Sequence, residues 1–246
     1  MSDYLLPASE GALAYTELFE RVSKLIEVEP EAITAVVVPH CPKWTVKCVI
    51  SHMIGVPEDV LLGQMEGVTT EAWTQRQVDR HTEHSKSELL AIWSNTFENF
   101  KLLLPNIPQP TISQFVFDQA THEHDIRHAI SQPGARDSRA IAVAEGFLRN
   151  FIARNPNPEI RALSVSAITG FEFVRSFSGR RTKEQIAELG LPADLVAAFI
   201  DTSPFAMPKE SINELMILLA KLVRCQQLER YCWSFKENIL QMRQLA

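Results

Sequence analysis

Runs of helical periodicity, separated by stops that carry proline or glycine, fill the first 155 residues and constrain the fold more than any other feature. In SEGALAYTELFERVSKLIEV (9–28), Ser9 opens the run, Glu10 stands in the first turn and apolar residues recur at three- and four-residue steps. That pattern marks an amphipathic helix. The link VVVPHCPKW leads into WTVKCVISHMIGVPEDVLLGQMEG (44–67). Pro57 is expected to kink or restart this second helix, because proline lacks an N–H and suits only a first turn. Residues 71–104, rich in Glu, Gln and Leu and stopped by LPNIPQP, predict one long third helix. A fourth spans roughly 111–131 and stops at QPG, and a fifth spans 138–153 and closes at NPNP. Long helices joined by modest links predict a mainly α chain built on a four-helix bundle.

Beyond residue 155 the texture changes, which places a soft boundary there: a helical domain over 1–155 and a smaller region over 156–246, either α/β or mostly helical. ALSVSA (162–167) alternates apolar and small polar residues and reads as a single strand; helices resume at 168–177, 182–189 and 192–200. The segment 210–245 is a long helix candidate with apolar residues at 228, 232, 235, 239 and 242. Alternating four- and three-residue steps form a seam that packs along another helix, either of the same chain or of a second copy in a homodimer.

Charge and composition exclude some functions. With 24 basic and 30 acidic residues the net charge is -6, and no basic stripe interleaved with aromatics suggests nucleic-acid binding. The start, MSDYLLPASEGALAY, lacks the charged and apolar regions of a secretory signal. The longest apolar run, LMILLAKLV (215–223), contains Lys221 and falls short of the ~20 residues of a membrane span. Cys41, Cys48, Cys225 and Cys232 have neither zinc-knuckle nor disulfide-framework spacing, so reduced thiols in a cytoplasmic protein are expected.

The chemistry concentrates in FDQATHEHDIRH (117–128). Successive helical residues advance by about 100°, so positions four apart share a face and positions two apart do not. Phe115, Asp118, Ile126 and Ala129 fall in one wedge around His122, with Asp125 at its edge. The apolar wedge should face the core, taking Asp118 and His122 inward and leaving His124 and His128 outside as surface residues. A buried carboxylate and imidazole need neutralising, by a metal or by a hydrogen bond between them. His52 is the best third ligand, since Cys48, Val56 and Asp59 lie on its face at four-residue steps. Three protein ligands would leave a position open for water or substrate. Asp125 would then orient a ligand. Cys48 is open to three readings: a fourth ligand, a reactive thiol or a small core residue. His40, His81 and His84 read as solvated.

Three segments, CPKWTVKCVISHMIGVPEDVLLGQMEG, EAWTQRQVDRH and FDQATHEHDIRHAISQPGARDS, follow one another in an order and spacing that resembles the mycothiol-dependent maleylpyruvate isomerase family. That family is a branch of the DinB-like metal-binding bundles. FEFVRSFSGRRTKEQIAEL resembles a helix of its second domain. The resemblance implies a divalent metal, with zinc the first choice, on His52, Asp118 and His122. It also implies that Arg180 and Arg181 hold an anionic substrate or thiol. Asp118 stands where the family more often has Glu, Cys48 stands where relatives commonly have Asp, and the second domain is abbreviated.

In the family's reaction a low-molecular-weight thiol adds to a double bond, the adduct rotates and the thiol leaves. The expected function is therefore a metal-dependent, thiol-using isomerase or S-transferase acting on a small electrophile or unsaturated acid. A hydrolase with metal-activated water and a non-catalytic module that assembles through 210–245 are the alternatives.

Overall fold

The computed structural model describes residues 4–212. Apart from positions 210–212, the expected terminal helix over 210–245 and the homodimer assigned to it lie outside the described residues, as do Cys225 and Cys232. The described residues are mainly helical, with one two-stranded sheet among them. No helix among them is long and apolar enough to cross a membrane.

Helix α1 (Ala8–Glu27) buries Gly11, Ala14, Tyr15, Leu18, Val22 and Ile26, the stripe its periodicity predicts. The link after it is more structured than expected: a 3₁₀ turn over Glu31–Ala35 precedes an antiparallel hairpin of β1 (Val37–Val38) and β2 (Cys41–Thr45). Thr45 ends the hairpin and caps α2 (Val46–Leu62) by accepting from the Cys48 N–H. Gly63, at φ 67°, closes α2 in the left-handed conformation glycine tolerates.

Pro57 neither ends nor restarts α2, which runs through it. Proline leaves the carbonyl four residues earlier without its helical partner. That carbonyl belongs to Met53, and it accepts from Gln119 Nε2 at 3.4 Å.

The expected long helix over 71–104 is two helices, α3 (Glu71–Arg80) and α4 (Lys86–Lys101). Ser85 and Glu88 form a capping box at the start of α4, which supplies partners for the N–H groups a new helix exposes. Helix α5 (Thr111–Ala129) and helix α6 (Arg139–Ile152), capped by Ser138, match the expected fourth and fifth helices. Helices α1, α4, α2 and α5 contact one another in a closed ring, and α6 packs across α1 and α5.

ALSVSA is not a strand. Helix α7 (Pro158–Ala162) ends at its first residue, and a 3₁₀ turn covers Leu163–Val165. Among the described residues no neighbouring strand pairs there, and the Asn157 cap with Pro158 after it starts a helix instead. Helices α8 (Gly170–Phe177), α9 (Lys183–Glu188) and α10 (Ala193–Ile200) follow, with α8 packed on α6 and α10 touching α7, α8 and α9. The described residues, 4–212, form one compact unit.

Helix α5 lies at the centre. Every residue from Gln119 to His128 is buried, although most of them are polar. The expected surface positions His124 and His128 are therefore inside. His124 stands edge-on to Phe171 with ring centres 4.8 Å apart, and His128 Nδ1 meets His40 Nε2 at 2.9 Å. A two-faced reading fails because α6 and the segment carrying α8 cover the side of α5 that a lone wheel assigns to solvent.

Candidate metal centre

His52 comes from the middle of α2, and Asp118 and His122 lie one turn apart on α5. His52 Nε2 is 3.4 Å and His122 Nε2 is 3.7 Å from the same oxygen, Asp118 Oδ1. The imidazole rings stand nearly perpendicular, 84° apart, with centres separated by 4.9 Å. One ligand atom from each residue lies within 4.8 Å of the other two, and among the described residues this is the one group that could hold a metal ion. Two ligands each about 2.1 Å from a tetrahedral ion sit about 3.4 Å apart. The separations from Asp118 Oδ1 are close to that value.

The outer nitrogens are placed in a way that suits the same use. His52 Nδ1 donates to Gln77 Oε1 at 2.7 Å, and its Nε2 faces Asp118 Oδ1 at 3.4 Å, the side on which a metal would take the place of a proton. His122 Nδ1 faces Asp125 Oδ2 at 3.4 Å, which favours a proton there and a bare Nε2. Metal-binding histidines characteristically have this support on the far nitrogen. Two imidazoles and one carboxylate therefore fit a divalent cation.

Each support is anchored in turn. Gln77 Nε2 donates to Asp59 Oδ2 at 2.7 Å, and Asp59 Oδ1 accepts from Arg80 Nη2 at 2.5 Å. Gly55 makes that arrangement possible. A Cβ at this position would meet Gln77 Cγ at 2.6 Å and its Cα at 3.2 Å, so the missing side chain lets α3 lie against α2. On the other side, Asp125 is completely buried and takes Arg175 Nη1 on Oδ1 and Arg180 Nη2 on Oδ2, each at 2.8 Å.

Electrostatics follow from these contacts. Burial disfavours the charged form of His52, but the adjacent Asp118, helped by Gln77, outweighs it and raises the His52 pKa. For His122 burial prevails over Asp125 and Asp118, and its pKa is lowered. Asp118 is lowered because His52, His122 and Arg180 overcome the cost of burial. Arg180 and Arg175 hold Asp125 well below the usual carboxylate range despite its burial.

The other expected residues are placed as follows. Cys48 sits in the first turn of α2 with Sγ 3.4 Å from Thr45 Oγ1 and is not part of the ligand group. Arg180 is committed to Asp125 and to the Ser178 carbonyl. Arg181 forms a two-pronged pair with Glu172. His81, expected in solvent, is buried and meets Glu58 at 3.0 Å, while His84 and His40 are half-buried. The break between α3 and α4 turns His81 inward, where a continuous helix would have kept it on a polar face.

Other residues near the centre were not assigned to it by the sequence. Trp44 on β2 lies over both histidines, its ring 5.5 Å from His52 and 6.0 Å from His122. The Tyr15 hydroxyl on α1 is buried without a hydrogen-bond partner among the described residues; burial and the charge of Asp118 both raise its pKa. Cys41 lies 3.8 Å from Asp125 Oδ2 and 3.7 Å from Arg180 Nη2, and burial pushes its thiol up to about 11. It is therefore a protonated thiol at neutral pH rather than a nucleophile. Nothing local marks Gln77 or Arg175, because each joins the site through a residue distant in sequence.

Comparison of the chain with models of known families, with curated proteins and with solved structures finds no match.

Proposed function

We propose that the chain is a metal-dependent enzyme that brings a low-molecular-weight thiol to a small electrophile or unsaturated acid, as in the maleylpyruvate isomerases its sequence resembles. The observation that carries the reading is the convergence of His52, Asp118 and His122, with the far nitrogen of His52 bonded to Gln77 and that of His122 facing Asp125. A divalent ion, zinc being the best match to two imidazoles and a carboxylate, would supply Lewis acidity, stabilising a thiolate or a developing enolate oxygen.

The chain's own residues favour an anionic guest. Asp118 is the one carboxylate in the ligand group, so a divalent cation there keeps a positive excess. Asp125 brings one negative charge and is met by two arginines, Arg175 and Arg180. The charge of Arg180 is felt at Asp118, which places it within electrostatic reach of the centre. A positive balance in a sparsely hydrated site lowers the pKa of an incoming thiol and attracts a carboxylate. Trp44 shields the histidines on the hairpin side, and its ring offers an apolar wall to a small substrate. On this reading Arg180 acts through its field. Arg181, tied to Glu172, supports the turn into α9. The DinB-like bundle and a cytoplasmic, thiol-supplied setting belong to the same proposal.

The test is elemental analysis of protein purified without chelator, followed by a thiol-transfer screen. About one divalent ion per chain is expected, lost in His52→Ala and in His122→Ala, together with turnover that requires added thiol. Wild-type protein without metal would overturn the reading, and turnover independent of thiol would reassign the centre to hydrolysis.

A further inference from the structure

The residue that faces His52 from α3 is an amide rather than a carboxylate, and its surroundings explain why. Gln77 is fully buried and has two partners with opposite requirements. Toward α2 it accepts from His52 Nδ1 at 2.7 Å; at its other end it donates to Asp59 Oδ2 at 2.7 Å. An ionised carboxylate can only accept, so Asp59 forces the amide nitrogen of Gln77 toward itself and the amide oxygen toward His52. Arg80 Nη2 holds the remaining Asp59 oxygen at 2.5 Å, and Arg80 Nη1 is secured by Glu58 Oε2 at 2.6 Å. Glu58 Oε2 also meets His81 Nε2 at 3.0 Å, which ties the chain of contacts to the end of α3.

We infer that Asp59 and Gln77 are a positioning pair that orients His52: Asp59 sets the direction of the Gln77 amide, and the amide oxygen holds the Nδ1 proton, so that Nε2, 3.4 Å from Asp118 Oδ1, is the nitrogen that gives up its proton to a metal. This deepens the metal-centre reading and rests on it only for the use of Nε2; the Nδ1–H bond to Gln77 is itself a property of the metal-free protein. Neither residue touches the ligand position. Both act through His52, and each depends on the polarity of the other.

That mutual dependence gives a reciprocal test. Gln77→Glu places two carboxylates face to face across 2.7 Å. Asp59→Asn removes the demand that orients the amide, so Gln77 can turn its NH₂ toward His52 and leave the proton on Nε2. The double substitution Gln77→Glu with Asp59→Asn restores one donor and one acceptor at the junction. The amide now at position 59 donates to the carboxylate now at position 77 while still accepting from Arg80. That carboxylate in turn accepts from His52 Nδ1. The total charge is that of the wild type.

The experiment reads two quantities on the full chain. Nitrogen-15 NMR of the metal-free protein, recorded at a pH where the His52 ring is neutral, reports which nitrogen carries hydrogen, and chelator competition with zinc alone reports affinity. Each single variant is expected to lose about tenfold or more in zinc affinity, with Asp59→Asn populating the Nε2–H tautomer. The double variant is expected to recover the Nδ1–H tautomer and at least wild-type affinity. A double variant no better than either single one, in protein whose circular dichroism shows it folded, would overturn the inference. So would an Nε2–H tautomer in the wild type. If the wild type shows the Nδ1–H tautomer yet binds no zinc, the metal reading fails and the positioning pair stands on the NMR result.

Discussion

Asp125→Asn gives the sharpest test of how the core of this chain is held together. The side chain is completely buried and shares its two oxygens between Arg175 and Arg180, which are also buried. The substitution keeps the shape and removes the charge, so two guanidinium groups lose the carboxylate that neutralises them. Removing one partner of a buried ion pair costs about 3 to 5 kcal/mol, because the charge left behind cannot recover its hydration. Native domains are stable by only about 5 to 15 kcal/mol, so this loss is a large share of the total. With a urea slope of about 2 to 3 kcal/mol/M, the unfolding midpoint should fall by about 1 to 2 M at an unchanged slope. The measurement belongs in chelator-containing buffer, so that metal binding adds nothing to the folded state. If charge is the cause, adding Arg180→Met to Asp125→Asn should restore part of the loss, about 1 kcal/mol or more, as coupled neighbours do. A midpoint that falls by less than about 0.3 M, or a double variant weaker by the sum of both single losses, would refute the account.

Three further outcomes are expected. Gly55→Ala should cost about 1 to 3 kcal/mol by overpacking, since the new methyl meets Gln77 Cγ at 2.6 Å, and it should weaken zinc binding about tenfold as Gln77 leaves His52; urea melts and chelator competition check the two parts separately. Zinc affinity should depend on pH in steps, because metal displaces protons from histidine. His52 is raised and His122 lowered, so between their two pKa values only His52 carries a proton to be displaced. Log affinity should rise by about 1 per pH unit in that interval, level off above the raised His52 value and steepen toward about 2 below the lowered His122 value, and a slope near 2 at about pH 6.5 in chelator titrations would contradict the assignment. Ser85→Ala should cost about 1 kcal/mol in urea unfolding by removing the cap that separates α3 from α4, with no change in zinc affinity.

The legible parts of the fold were those written locally. The stripe of α1, the Ser138 start of α6 and the extents of α5 and α10 follow from periodicity and caps within a few residues. The errors arose where a local rule met a distant partner or a stronger local one. Pro57 reads as a kink or a restart, yet α2 runs on through it, and Gln119, 66 residues from Met53, satisfies the carbonyl that proline frees. The run 71–104 reads as one helix by composition, yet Ser85 with Glu88 offers a second start that composition does not register. ALSVSA alternates like a strand, but a strand needs a neighbour to pair with, and the described residues offer none there.

At the centre, helical phase succeeded and failed on the same helix for one reason. Phase states direction: it groups Asp118 with His122, and the structure brings both to His52. It does not state depth. The inference that His124 and His128 face solvent assumed that a direction away from the ligands is a direction toward water. Helix α5 is enclosed by α1, α2 and α6, so both directions lead to protein. In such a helix polarity is itself the signal, because each buried charge needs a partner on another element. Glu123 takes Arg21 from α1 and Arg127 one turn on, Asp125 takes Arg175 and Arg180, and His122 meets His52 across Asp118. The partners come from every side, which is why no single face of FDQATHEHDIRH could be apolar. A helix this polar and this buried has its neighbours chosen by charge, and those same neighbours set the protonation of the residues that could hold a metal.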